Sequence, residues 1–256
     1  MQLLVSVADA IDAAAALDGG AAIIDAKDPQ AGALGAVSLG VFGEIRTAVA
    51  NRRPLSAAIG DATGEDAIAR AAFEFAAAGA VFVKVGVHGI ASVAPAMSLA
   101  AAARRGVVAA GSGSGLVLVA YADADEPTGI GPAAIIDIAA RTGATGLLLD
   151  TADKSGRGLL ALIGPAALTA WVARAHACGL LVAVAGKLSA DDLLVAREVG
   201  ADIAGVRGAA CDGGRNGRVS AERVRLLRSR CGASTVRLKP DTTVVTTAVT
   251  GHGVAR

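Results

Sequence analysis

A single-domain α/β barrel is the fold class this sequence predicts, and three observations carry it. The chain has 256 residues, 54% of them hydrophobic and only 2% aromatic, enough apolar mass for one large core. Eight short apolar runs are spaced along it, each with the length and continuity of a strand buried on both faces, as in a parallel sheet. Ala-rich stretches of helical character lie between them. Eight strand–helix units in about 230 residues match a TIM (β/α)8 barrel in number and length. An open doubly wound sheet is the alternative.

The units follow in order. A strand over 3–7 leads to a helix over 8–17, and a strand over 22–25 to a helix over 42–50. The third strand, 55–59, precedes a helix over 65–78 in which Thr63 and Asp66 form a capping-box-like start. The fourth, 81–85, precedes a helix over 93–105. Two runs, 107–110 and 116–120, compete for the fifth strand; the second is preferred because polar residues, Tyr121 and Asp123, follow it. The Gly/Ser stretch between them has no helix after it, as a dinucleotide loop requires, and reads as a connector. A helix over 132–141, the sixth strand Gly146–Asp150 and a helix over 166–177 come next. The seventh strand, 180–185, leads to a helix over 190–199, opened by Ser189 with Asp192 and closed by Gly200. The eighth, 202–206, is followed by a helix over 221–230, so the barrel domain spans residues 1–231. Residues 232–256 are rich in Thr and Val without helical period and read as a poorly ordered C-terminal extension, with an added edge strand as the alternative.

Composition narrows the function. A formal charge of +1 gives no basic field for nucleic acid or an anionic membrane. One Trp, one Tyr and four Phe supply no stacking platform for bases. The longest apolar run, near 158–173, is short of a bilayer span and contains Gly164 and Pro165. Cys178, Cys211 and Cys231 are too scattered for a disulfide framework or a structural zinc site. His88, His176 and His252 are too dispersed for metal ligation. The N-terminus has no basic leader. The expectation is a cytoplasmic chain with a small-molecule partner and no metal, with homo-oligomerisation left open.

The lysines carry the chemical signal. Of 24 Lys and Arg residues only five are lysine: Lys27, Lys84, Lys154, Lys187 and Lys239. Lysine is needed where an amine must lose its proton, which arginine cannot do. The first four sit at or just past the C-terminal ends of predicted strands 2, 4, 6 and 7, the catalytic face of a TIM barrel. Asp25 and Lys27 lie two apart and share a face if the strand extends that far. Strands 2 and 4 are both even-numbered, so Lys27 and Lys84 can contribute to one interior layer. This pattern permits imine formation, for which a lysine must be depressed from its usual pKa near 10.4 by burial and a neighbouring ammonium. Strand-end caps or ion pairs, Lys27 with Asp25 for example, are the alternative.

Other groups gather at the same rim. Asp150, after three leucines, is a candidate general acid/base or orienter of a lysine, or an N-cap; Asp123 is similar. TIM barrels often bind phosphate in the loops after strands 7 and 8. There, Gly186 and Gly208 allow close backbone approach, and Arg207 or Arg215 would hold an oxyanion.

The segments Leu3-Leu4-Val5-Ser6, Asp25-Ala26-Lys27-Asp28-Pro29, Phe82-Val83-Lys84-Val85-Gly86, Leu149-Asp150-Thr151 with Lys154-Ser155-Gly156, and Gly205-Val206-Arg207-Gly208-Ala209-Ala210-Cys211 together resemble the (5-formylfuran-3-yl)methyl phosphate synthase family of methanofuran biosynthesis. The resemblance runs along about residues 1–231. It implies a Schiff-base-forming lyase with a TIM barrel that condenses two molecules of glyceraldehyde 3-phosphate, releasing phosphate and water, with no metal or nicotinamide. Carried over by motif, Lys27 is the Schiff-base lysine and Lys84 the proton-transfer residue, with Asp150 and Lys154 assisting. Asp25, Gly186, Lys187, Arg207, Gly208 and Arg215 complete the substrate and phosphate contacts. Lys187 departs from the pattern, which places a small hydroxyl residue after Ala185-Gly186. A class I aldolase acting on another sugar phosphate, or a noncatalytic barrel that binds a phosphate ligand, are the competing functions.

Overall fold

Eight parallel strands close into a barrel in chain order in the computed structural model, which describes residues 1–124 and 130–232. The strands are β1 (Gln2–Val7), β2 (Ile23–Ala26), β3 (Leu55–Asp61), β4 (Phe82–Gly86), β5 (Gly115–Tyr121), β6 (Gly146–Asp150), β7 (Leu181–Val184) and β8 (Ile203–Val206). Pairing of β8 with β1, Val206 beside Val5, completes the ring. Closure leaves the barrel no edge strand to protect. The chain is therefore a single-domain TIM barrel, and the open-sheet alternative falls.

Helices α1 (Ala10–Asp18), α2 (Leu39–Val49), α3 (Glu65–Ala77), α4 (Val93–Ala109) and α5 (Pro132–Thr142) follow β1 to β5 in turn. After β6 come α6 (Leu159–Leu162) and α7 (Pro165–Ala177), after β7 comes α8 (Asp192–Glu198), and after β8 comes α9 (Ala221–Arg230). Asp9 caps α1 by accepting from Asp12 N at 2.9 Å, and Ser38 caps α2 by accepting from Val41 N at 3.2 Å. Pro132 and Pro165 open α5 and α7, where a missing N–H costs nothing.

The strand period sorts the core. Outward residues such as Leu3, Val5, Ile24 and Leu118 join the helices in one continuous cluster. Inward residues form two smaller clusters, Leu4 with Ile23 and Ile203, and Phe82, Val117, Val119, Tyr121 and Leu148 with Leu34. This is the two-sided burial that makes parallel strands read as unbroken apolar runs.

Local details differ from expectation in places. The run 107–110 belongs to the end of α4, so the second run is the fifth strand, and the Gly/Ser stretch lies before β5, at the barrel end opposite the mouth. Thr63 makes no side-chain cap, and Gly64 precedes α3 instead. Ser189 and Asp192 do form the reciprocal box: Asp192 N donates to Ser189 Oγ at 3.2 Å and Ser189 N to Asp192 Oδ2 at 2.8 Å. The regular helix nonetheless starts only at Asp192. Between β8 and α9 the chain makes a short turn (Gly208–Ala210) and a small antiparallel pair, β9 (Cys211–Asp212) with β10 (Arg218–Val219). The expected extension, apart from Gly232, and His252 and Lys239 lie outside the described residues. Among the described residues no helix is long and apolar enough to cross a membrane.

Candidate active site

The C-terminal mouth of the barrel holds a cavity of about 350 Å3, lined by ten of the residues singled out from the sequence, Asp123 being the exception. Register explains the first group. Ser6 on β1 and Ser56 on β3 flank Asp25 on β2. Asp25, fully buried, accepts from Ser6 Oγ at 2.9 Å, Ser56 Oγ at 2.6 Å and Lys84 Nζ at 2.6 Å. The alternative reading, a Lys27–Asp25 ion pair, is thus not formed; Asp25 pairs with Lys84 across the barrel interior.

Lys27 follows β2, and its N–H donates to Val7 O at 3.0 Å, so the ladder holds it on the face of Asp25. It is buried, and no hydrogen bond or ion pair reaches its amine from the described residues. Burial disfavours its ammonium; the Asp150 carboxylate opposes this, while Lys84 and Lys154 reinforce it, and the pKa settles at about 7. Near neutral pH about half the amine is therefore free base, against about 0.04% for an exposed lysine.

The other lysines of the cavity are engaged. Lys154 donates to Asp150 Oδ1 at 2.6 Å and also to Thr151 O. Asp150 accepts from Thr151 N at 2.8 Å as well. Burial pushes the Asp150 carboxyl up, but the amines of Lys154 and Lys27 outweigh it and hold it below the usual range. Lys187 donates to Gly156 O at 2.6 Å and Ser155 O at 3.4 Å, tying the loop after β7 to the loop after β6. Its φ of 57° is unusual for a side-chain-bearing residue and follows Gly186 at 105°. The two successive left-handed residues turn the backbone sharply beside Thr151, where a Cβ on Gly186 would come within 3.0 Å of the threonine methyl.

Several side chains differ from their expected roles. Arg207 is buried, with Nη1 donating to Asp12 Oδ2 at 2.6 Å and Ser6 O at 3.0 Å. Its Nε donates to Arg215 O at 3.1 Å and its Nη2 to Gly217 O at 3.0 Å. The guanidinium is thus spent on the fold rather than held open as an anion fork. Arg207→Ala leaves Asp12 buried without its close cation, and is expected to cost about 3–5 kcal/mol of stability. A melt with an unchanged midpoint, and only KM altered, would contradict this. Arg215 reaches from the β8 side to Gly32 O at 2.8 Å and Pro29 O at 3.2 Å in the loop after β2, and remains at the rim. Asp123 accepts from Ala152 N at 2.7 Å and Asp153 N at 2.8 Å, and so shapes the loop after β6. Cys211 is buried, which pushes its thiol up and away from thiolate chemistry.

Sequence reasoning did not single out Ser6 and Ser56 as site residues. Their signal was present: each is a lone hydroxyl inside an apolar run, at the inward parity of its strand.

The family model described as 4-HFC-P synthase matches residues 3–228. The (5-formylfuran-3-yl)methyl phosphate synthase of Methanosarcina barkeri is 36% identical over 234 residues, 91% of this chain and 100% of that protein. Its counterpart in Methanococcus maripaludis is 37% identical over 234 residues, 90% of this chain and 99% of that protein. The solved structure of a 3-hexulose-6-phosphate synthase superposes with a TM-score of 0.63 at 20% identity, covering 90% of this chain and 99% of that one, which speaks for the barrel alone. Matched from the first barrel strand into the last helix, and aligned end to end with relatives that share over a third of its residues, the chain belongs to the 4-HFC-P synthase family.

Proposed function

We propose that this chain condenses two molecules of glyceraldehyde 3-phosphate into (5-formylfuran-3-yl)methyl phosphate, acting as a Schiff-base-forming lyase with Lys27 as the nucleophile. One observation carries the reading: among the described residues, Lys27 is the cavity lysine with no partner and a pKa drawn down to about 7. The atoms balance without an external oxidant, since two triose phosphates equal the furan aldehyde phosphate plus phosphate and two waters. No nicotinamide is therefore called for.

The neutral Lys27 amine adds to a triose carbonyl, forming a C–N bond. The Lys84 ammonium gives a proton to the carbinolamine oxygen, which leaves as water, and the protonated imine results. That imine acidifies the adjacent C–H, and the now neutral Lys84 takes the proton back as the enamine forms. The enamine carbon then adds to the second aldehyde. Asp25 keeps Lys84 aimed inward throughout. Lys154, held by Asp150, supplies a second ammonium for departing oxygens. The loops after β7 and β8, with Gly186, Gly208, Lys187 and Arg215, hold the phosphate. Arg207 supports that loop from beneath. A hydroxyl of the condensed product attacks the imine carbon, closing the ring and breaking the C–N bond to return Lys27 as the free amine. Elimination of phosphate and a second water gives an aromatic ring, which makes the last steps downhill.

Borohydride reduction with glyceraldehyde 3-phosphate is expected to leave a mass adduct on Lys27. Because the neutral amine attacks, the rate of trapping rises with pH, by about tenfold between pH 6 and pH 8 for a pKa of about 7. Trapping that is flat across that range, or an adduct on Lys84, removes Lys27 from this role. Furan release from the triose alone separates this activity from an ordinary class I aldolase.

A further inference from the structure

The cavity draws its lining from six of the eight strands; β3 and β5 contribute nothing to it. The inward groups at the mouth ends of those two strands are Asp61 and Tyr121, and they bond to each other. Tyr121 Oη donates to Asp61 Oδ1 at 2.9 Å, and the His88 N–H donates to the same oxygen at 3.1 Å. The bridge passes over β4 at Gly86, where a Cβ would overlap Asp61 Oδ1 and come within 2.7 Å of Tyr121 Oη. Gly86 is on the face of Lys84, two residues nearer the mouth.

Tyr121 stands beside Asp150 in register and is buried. It belongs to one inward apolar cluster with Leu34, from the loop after β2, and Leu148, which itself lines the cavity. The edge of the His88 ring meets it with centroids 5.4 Å apart. Burial, followed by the charge of Asp61, pushes the phenol pKa up, so the hydroxyl keeps its proton and the bridge stays made near neutral pH. A large side chain fixed at both its ring and its hydroxyl therefore fills the β3–β5 side of the mouth.

We propose that the Tyr121 ring, which backs the cavity on its β3–β5 side in one cluster with the lining residue Leu148, is the specificity-determining wall that limits the substrate to a three-carbon aldehyde phosphate. The inference rests on Lys27 as the Schiff-base lysine. With phosphate at the loops after β7 and β8 and the carbonyl at Lys27 just after β2, one more carbon between them drives the carbonyl past the amine. The direction of that overshoot is toward β3, β4 and β5, where the ring stands. A pocket that excludes one carbon discriminates by roughly 10–200-fold.

The test compares borohydride trapping rates for glyceraldehyde 3-phosphate and erythrose 4-phosphate on the full chain, with Lys27 modification read by mass spectrometry. The native chain is expected to favour the triose by at least about tenfold. Tyr121→Ala removes the ring and is expected to reduce that preference about tenfold, whereas Tyr121→Phe keeps the ring and holds the ratio within about twofold. Tyr121→Leu is the smaller truncation, measured alongside, should the alanine variant fail to fold. A merely structural role would slow both substrates alike and leave the ratio where it was. A folded Ala or Leu variant with the native ratio overturns the wall. So does a Phe variant as permissive as the truncations, since the ring would then not be what excludes the tetrose. Absence of any Lys27 adduct in the native chain overturns the Schiff-base reading itself, a different result from an adduct whose ratio does not move.

Discussion

Replacing Lys27 with methionine is expected to abolish both the trapped adduct and furan formation while raising the melting temperature. Methionine keeps most of the volume and the apolar stem, but it has no amine to form the imine. The stability gain follows from the buried charge. Lys27 has a folded-state pKa of about 7, depressed from 10.5 by burial, against opposition from Asp150. Between those two values the unfolded chain binds more protons than the folded one, so native stability rises with pH across that window. Below about pH 7 the folded state carries the full cost, at most about 5 kcal/mol at 1.36 kcal/mol per pKa unit. The variant escapes this cost. Its advantage should be largest at pH 6, roughly 5 °C or more in melting temperature for a domain of this size, and should shrink as pH approaches 10. Thermal melts at several pH values check this. A variant less stable than the native chain at every pH would show that the amine holds the fold together, and retained turnover would remove Lys27 from the chemistry.

Substituting Lys84 should separate adduct formation from turnover. Lys84→Arg keeps a cation opposite Asp25 but supplies a group that does not give up its proton. This variant is expected to fold, to form the Lys27 adduct more slowly but to completion, since water can still protonate the carbinolamine, and to lose about 10²–10⁴ in furan formation, the usual worth of a positioned general acid/base. Lys84→Met removes the cation as well, leaving the Asp25 carboxylate buried with, among the described residues, only the Ser6 and Ser56 hydroxyls as donors. It is expected to lose about 3–5 kcal/mol of stability in addition. The arginine variant is therefore the cleaner test of chemistry. In Lys84→Met the Lys27 amine also loses a neighbouring positive charge that depresses it, so trapping shifts to higher pH. Near-normal furan formation by Lys84→Arg at neutral pH would exclude proton transfer by this residue.

Much of the molecule was legible before any coordinates. The strand count was visible because strands buried on both faces need unbroken apolar runs, and eight such runs survive in the structure with shifts of only a residue or two at their ends. The scarcity of lysine against arginine marked the mouth, since Lys27, Lys84, Lys154 and Lys187 all line one cavity. Strand parity correctly placed Asp25 and Lys27 on one face. Helix starts were less legible: the Ser189–Asp192 box forms as read, whereas Thr63 leaves α3 uncapped. A hydroxyl near a helix start is common and becomes a cap only when the backbone turns toward it.

Which charge meets which was decided by tertiary structure alone. Asp25 pairs with Lys84 on β4 rather than with Lys27 two residues away, because residues two apart on a strand point the same way, side by side along it, while barrel closure brings different strands face to face. Arg207 reads as an anion fork from its Gly-rich setting, yet the excursion between β8 and α9 folds back and surrounds its guanidinium with Asp12 and three carbonyls. The Tyr121–Asp61 bridge joins strands that are not neighbours in the sheet, over a glycine whose importance is invisible until the atoms around it are placed. Sequence by itself determined the periodicity, the inward faces and the supply of titratable groups, all properties of local chain geometry. The pairing of those groups, and with it the cavity amine left unpaired among the described residues, depends on strand stagger, loop return and burial, which exist only once the barrel has closed.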